Sequence, residues 1–201
     1  MYFSKDNYPI AQNIINAILQ KKDACLAGHS QIDKRYSDSY NSDEQFQLGN
    51  AYLFSRHPFS KPILAYEWYK KAAQNGNLDA QLTMGNALRS GLNGVSKNLI
   101  EARCWFEAAA AQGSPEALDF LGSMYEQGQG GLNADFAKAA TYYRLAASKG
   151  VVTAQESLAE MLQFGKGITK DIIEACVWYR KAEEAGSESA HKALLSIEKD
   201  K

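Results

Sequence analysis

The chain has 201 residues, with 22 Lys and Arg against 23 Asp and Glu and a formal net charge of -1. Hydrophobic residues make up 45% and charged residues 22%, the balance of a chain that buries an ordinary globular core. The absence of a Lys/Arg cluster argues against nucleic acid as a partner, and no apolar run is long enough to cross a bilayer as a helix.

In chain order, Pro9 suits the first turn of a helix, and Ile10, Ile14 and Ile18 fall on one face of it. Gln12, Asn13 and Asn16 interrupt that stretch, which is amphipathic rather than the apolar core of a secretion signal. It predicts an N-terminal capping helix, followed from His29 by a polar Ser-, Asp- and Tyr-rich linker, so that residues 1–42 form one segment. Cys25, Cys104 and Cys176 are odd in number and widely spaced. They are no disulfide framework and fit a reducing compartment, so a cytoplasmic location is expected.

From residue 43 a repeat governs the chain. Gly76, Gly113, Gly150 and Gly186 are 37, 37 and 36 residues apart; Trp68, Trp105, Tyr142 and Trp178 keep the same steps, as do Ala80, Ala117, Ala154 and Ala190. Each unit predicts two helices. The first carries a small residue and then a large one, as in Ala80 and Met84, Ala117 and Leu121, Ala154 and Leu158. A glycine follows the large residue at Gly49, Gly85 and Gly122, and Ala159 stands there in the fourth unit. Glycine inside a helix costs about 1 kcal/mol against alanine, so close approach of a neighbouring helix is expected at those positions. The second helix sets alanines against two adjacent aromatics: Trp68 and Tyr69, Trp105 and Phe106, Tyr142 and Tyr143, Trp178 and Tyr179. Their spacing puts them on one core face, and Cys104 and Cys176 are expected to be buried or half-buried among them. The period gives repeats at about 43–78, 79–115, 116–152 and 153–186. Ser187 then caps a last helix through Ala190, Leu194 and Ile197, making 187–201 a C-terminal capping segment.

Little in the chain suggests chemistry. His29, His57 and His191 lie in three separate regions, and Cys25 with His29 supplies only two ligands, too few for a closed metal site. The loop Gly165-Lys166-Gly167 lacks the strand and the Gly-Lys-Ser/Thr of a phosphate loop. No pair of carboxylates has a spacing that marks a general acid and base. The expectation is no enzyme, no cofactor and no metal.

The repeated residues resemble the Sel1-like repeat, a relative of the tetratricopeptide repeat. The third unit carries the resemblance through Ala117, Leu121, Gly122, Tyr125, Gly128, Asp135, Lys138 and Ala139. The fourth carries it through Ala154, Leu158, Gly165, Gly167, Asp171, Ala175, Trp178, Tyr179, Lys181 and Ala182. The resemblance covers about residues 43–194. It implies an all-α fold, an α/α right-handed superhelix of four helix pairs with capping helices at both ends, whose first helices line a concave face. It also implies a non-catalytic adaptor or scaffold, or alternatively a bacterial immunity protein that neutralises a toxin.

On that reading the concave positions are Asp43, Phe46, Asn50 and Leu53; Asp79, Leu82, Asn86 and Arg89; Glu116, Asp119, Ser123 and Glu126; and Thr153, Glu156, Glu160 and Gln163. Seven of the sixteen are acidic and one is basic, in a chain that is balanced overall. The face therefore predicts a partner protein or peptide that presents Lys or Arg to repeats three and four, with a more neutral first half around Asn50 and Asn86.

Overall fold

The computed structural model describes residues 40–54, 62–92 and 94–199. The predicted N-terminal helix, Cys25, the polar linker from His29 to residue 39, and the loop with His57 lie outside them. The described residues form α1 (Ser42–Phe54), α2 (Pro62–Gln74), α3 (Leu78–Ser90), α4 (Leu99–Ala111), α5 (Pro115–Gln127), α6 (Phe136–Ser148), α7 (Val152–Phe164), α8 (Ile172–Glu184) and α9 (Glu188–Lys199), with no strand among them. The chain divides into two compact units, Met1–Lys97 with α1 to α3 and Asn98–Lys201 with α4 to α9.

The helix limits follow from the residues that close them. Asn77, Asn98, Ser114, Asp135 and Asp171 each accept a backbone N–H three residues on, satisfying a donor that the first turn leaves free. Asn41 and Glu44 cap α1 reciprocally, the Asn41 side chain taking the Glu44 N–H at 2.9 Å while Glu44 takes the Asn41 N–H at 2.9 Å. Ser187 caps α9 through the Ala190 N–H at 3.1 Å. First helices end on left-handed Gly91, Gly128 and Gly165.

The core follows the alanine–aromatic pattern, with one difference. Tyr69, Phe106, Tyr143 and Tyr179, the second aromatic of each pair, are buried. Of the first aromatics only Trp68 is buried, while Trp105, Tyr142 and Trp178 are half-buried. Tyr142 stacks on Tyr125 at 5.4 Å between centroids, and the Trp178 indole N–H donates to Glu174 at 3.1 Å. The cysteine expectation holds for Cys176, which is half-buried; Cys104 is exposed, because its α4 position turns to solvent with Ile100 and Glu107.

Two of the helix glycines, Gly49 and Gly122, do admit a neighbour. A Cβ on Gly122 would lie 2.7 Å from the Tyr143 ring, and one on Gly49 2.6 Å from the Tyr69 ring. The loop glycines serve contact as well: with φ at +66°, Gly167 lies so close to Phe136 that a Cβ would come within 2.4 Å of its backbone. Arg103 of α4 holds the Gly130 carbonyl at 2.8 Å. These loops are docked on the preceding repeat.

Successive repeats are latched by a glutamine. The buried Gln81 donates to the Ala73 carbonyl at 3.1 Å, and Gln155 donates to the Ala147 carbonyl at 3.3 Å, each satisfying a carbonyl near the end of a second helix. Leu118 takes this register in the third repeat, buried without a hydrogen-bonding group of its own.

Candidate protein-binding face

In the unit with α1 to α3, the face of the first helices holds Asp43, Asn50, Leu53, Asp79, Asn86 and Arg89. Asp43 and Asp79 are exposed at the helix starts, where negative charge suits the N-terminal dipole. Asn77, which caps α3, reaches back to Asp43 at 2.7 Å. Arg89 is exposed and donates to Asn86 at 3.4 Å. Leu53 and Asn86 are half-buried. Asn50 departs from the sequence expectation of an open surface residue: it is 7% exposed and accepts the Tyr69 hydroxyl at 2.8 Å. The glycine beside it lets the tyrosine ring slide far enough for its hydroxyl to reach that side chain.

The unit with α4 to α9 carries the acidic positions. Glu116 is exposed and accepts the Ser114 hydroxyl at 3.1 Å. Asp119 is half-buried and accepts the Thr153 hydroxyl at 2.7 Å; burial raises its carboxyl above the usual range, partly offset by that bond. Ser123 accepts from Gln127 at 2.9 Å. Glu126 accepts the Tyr143 hydroxyl at 2.8 Å, and Gln163 accepts the Tyr179 hydroxyl at 3.0 Å. Glu156 accepts hydroxyls from both Ser187 and Ser189. Glu160 is exposed and pairs with Lys166 at 2.6 Å.

These carboxylates share one field. Burial first, then Glu160 and Glu156, push the Tyr179 hydroxyl up to about 12; burial and then the bond to Glu126, with Asp119 adding, push Tyr143 up in the same way. Lys166 is raised by its bond to Glu160 and also feels Glu126. Asp119, Glu126, Glu156 and Glu160 are therefore gathered on α5 and α7, with Lys166 paired to Glu160.

Sequence reasoning placed Tyr69, Tyr143 and Tyr179 in the core and missed their hydroxyls, which emerge at the first-helix face. The acceptors lie 19, 17 and 16 residues before them, a near-constant separation that is visible once sought. In the second repeat Phe106 has no hydroxyl and stacks on Phe120 at 4.7 Å instead. Among the described residues no group of three or more His, Cys, Asp or Glu is placed to hold a metal, and no helix is long and apolar enough to cross a membrane.

Comparison with known proteins agrees with this architecture. The Sel1 repeat model matches residues 45–77, 78–114, 115–151 and 152–187. Among solved structures, the chain is similar to c5321, described as a protective antigen of uropathogenic Escherichia coli with an SLR fold, at 30% identity and a TM-score of 0.73. That match covers 80% of this chain and 34% of the other. It is also similar to a Sel1 repeat protein from Oxalobacter formigenes, at 32% identity, a TM-score of 0.71 and coverage of 78% and 64%. Helicobacter pylori cysteine rich protein B matches at 25% identity and a TM-score of 0.52, over 67% of this chain and 95% of that one. The chain thus spans about a third of the first of these proteins and under two thirds of the second. A search of curated proteins gives no match. Four consecutive repeat matches over helix pairs built on one alanine–aromatic plan establish that the chain belongs to the Sel1 repeat family.

Proposed function

We propose that this protein is a non-catalytic adaptor that captures a basic segment of a partner protein on the first-helix face of α5 and α7. Sel1 repeats are generally protein-interaction modules, which supports the class of function. The observation that carries the finer reading is the gathering of Asp119, Glu126, Glu156 and Glu160 beside the Tyr143 and Tyr179 hydroxyls, whose pKa values burial raises first and these carboxylates raise further. Opposite charge steers such a partner in and disfavours acidic competitors. The free thiols Cys104 and Cys176 suit a reducing cytoplasm.

The test uses the full chain as immobilised bait for native cell extract, beside Glu160→Lys and Glu126→Gln. Glu160 is exposed and its reversal leaves the core untouched. A basic protein retained by the parent and lost with Glu160→Lys supports the proposal. Identical retention by parent and variants overturns it. If the retained protein is a toxin, the module serves as an immunity protein.

A further inference from the structure

In the unit with α4 to α9, the second helices α4, α6 and α8 lie side by side. Glu107 of α4 is among the groups that raise the Tyr142 hydroxyl of α6, after burial and Tyr125, and Arg144 of α6 bonds Glu174 of α8 with both terminal nitrogens. Each of these helices turns one exposed stripe away from the core. The stripe of α4 runs through Ile100, Cys104 and Glu107, that of α6 through Ala137, Thr141 and Ser148, and that of α8 through Ile173, Val177 and Arg180. The repeat sets Ile100, Ala137 and Ile173 at one height, Cys104, Thr141 and Val177 at the next, and Glu107, Arg144 and Arg180 at a third.

Single exposed apolar residues are ordinary, but these are ordered. Ile100 is 59% exposed on α4, and Ile173 and Val177 are 82% and 44% exposed on α8, while the stripe between them is built of small side chains. The surface is therefore low along its middle helix and apolar on both flanks. Its charges are ordered too. Glu107 on the α4 flank is held only by an exposed contact to Arg103 one turn back, at 3.3 Å, which is weak in water. Arg180 on the α8 flank is exposed and makes no ion pair among the described residues. Arg144 in the middle is already balanced by Glu174.

We infer that this outer surface pairs with the same surface of a second copy, across a two-fold axis that passes over α6. In that arrangement α4 of each copy lies on α8 of the other. Ile100 meets Ile173 of the second copy, Cys104 meets its Val177 and Glu107 meets its Arg180, and each contact is made twice. Ala137, Thr141 and Ser148 let the two α6 helices approach closely, because the distance between packed helices is set by the side chains between them. The larger flanking side chains then reach across. The other order, with α4 on α4, gathers both Glu107 side chains at one end and both Arg180 side chains at the other, like charge with like, and is disfavoured. The surface lies on the second helices and leaves the acidic face of α5 and α7 open in both copies.

Sedimentation velocity of the full chain over a dilution series reads the association. The expected result is a dimer whose dissociation constant rises about tenfold or more with Glu107→Arg or with Arg180→Glu, and returns to within about threefold of the parent when both are made together, since the pair is then reversed rather than lost. Both side chains are exposed, so the variants keep the parent's melting temperature. Val177→Cys supplies a second reading. Mild oxidation of its thiol with Cys104 of the other copy gives a covalent dimer, identified by mass spectrometry as a peptide pair spanning positions 104 and 177. A chain that stays monomeric throughout the series, a dimer indifferent to both reversals, or a folded double reversal that fails to restore the dimer overturns the inference. A dimer lost in Glu160→Lys also overturns it, because the contact would then lie on the inner face.

Discussion

The hydroxyl of Tyr143 donates to the carboxylate of Glu126 at 2.8 Å, across the one point where α5 offers Gly122 in place of a side chain. A buried ring and an inner-face charge are thus joined in one contact. Tyr143→Phe keeps the ring and removes the tether. The expected loss is about 1.5–3 kcal/mol, typical of a hydrogen bond to a charged group, read as a lower urea midpoint at unchanged slope.

Gly122→Ala probes the other side of that contact. The new Cβ meets the Tyr143 ring at 2.7 Å, so ring or helix has to give way. Overpacking of this kind costs about 1–3 kcal/mol. Ala159, buried at the same register in the fourth repeat, shows that a methyl group fits where the stack is built around it. A double-mutant cycle of Gly122→Ala with Tyr143→Leu is expected to recover part of the loss.

Asp119 gives a pH signature. Burial raises its folded pKa, so the fold favours the protonated form, and stability is gained as pH falls through that raised value toward the unfolded one. Asp119→Asn keeps an oxygen for Thr153 and removes the ionisation. The variant is expected to melt above the parent at pH 7, with the difference closing toward pH 3. Glu174 carries the opposite sign. Its bond to Arg144 lowers its pKa, so its contribution is present above the unfolded pKa and is lost as pH falls through the folded one. In Arg144→Ala the Glu174 titration, followed by carboxyl NMR, is expected to return upward.

The glutamine latch is tested by Gln155→Ala, which leaves the Ala147 carbonyl without this side-chain donor. A loss of about 1–3 kcal/mol is expected. Gln155→Leu imitates Leu118 of the third repeat and is expected to lose less, because it restores the buried volume.

Much of this fold was legible because a repeat states each rule several times. Gly76, Gly113, Gly150 and Gly186 all take the left-handed backbone expected of residues that end second helices. Ala154 and Leu158 sit at 0% exposure as their period required. Hydrogen bonds between neighbouring repeats were not legible. Thr153 meets Asp119, and Ser187 and Ser189 meet Glu156, across more than 30 residues, so their partners depend on how the stack is pitched and not on local spacing. Asn50 was misjudged for a related reason: its register faces inward, but the tyrosine admitted by Gly49 covers it.

The hydroxyls that occupy Asp119, Glu126 and Glu156 also act as competitors. A visiting group must displace Thr153, Tyr143, Ser187 or Ser189 from a bond already made. A neutral donor exchanges one hydroxyl–carboxylate bond for another like it and gains little. A guanidinium or ammonium adds to that bond a direct charge attraction to the carboxylate, which a neutral hydroxyl lacks. The resting network thus works as a threshold: it discounts uncharged visitors and lets a cationic one keep most of its advantage.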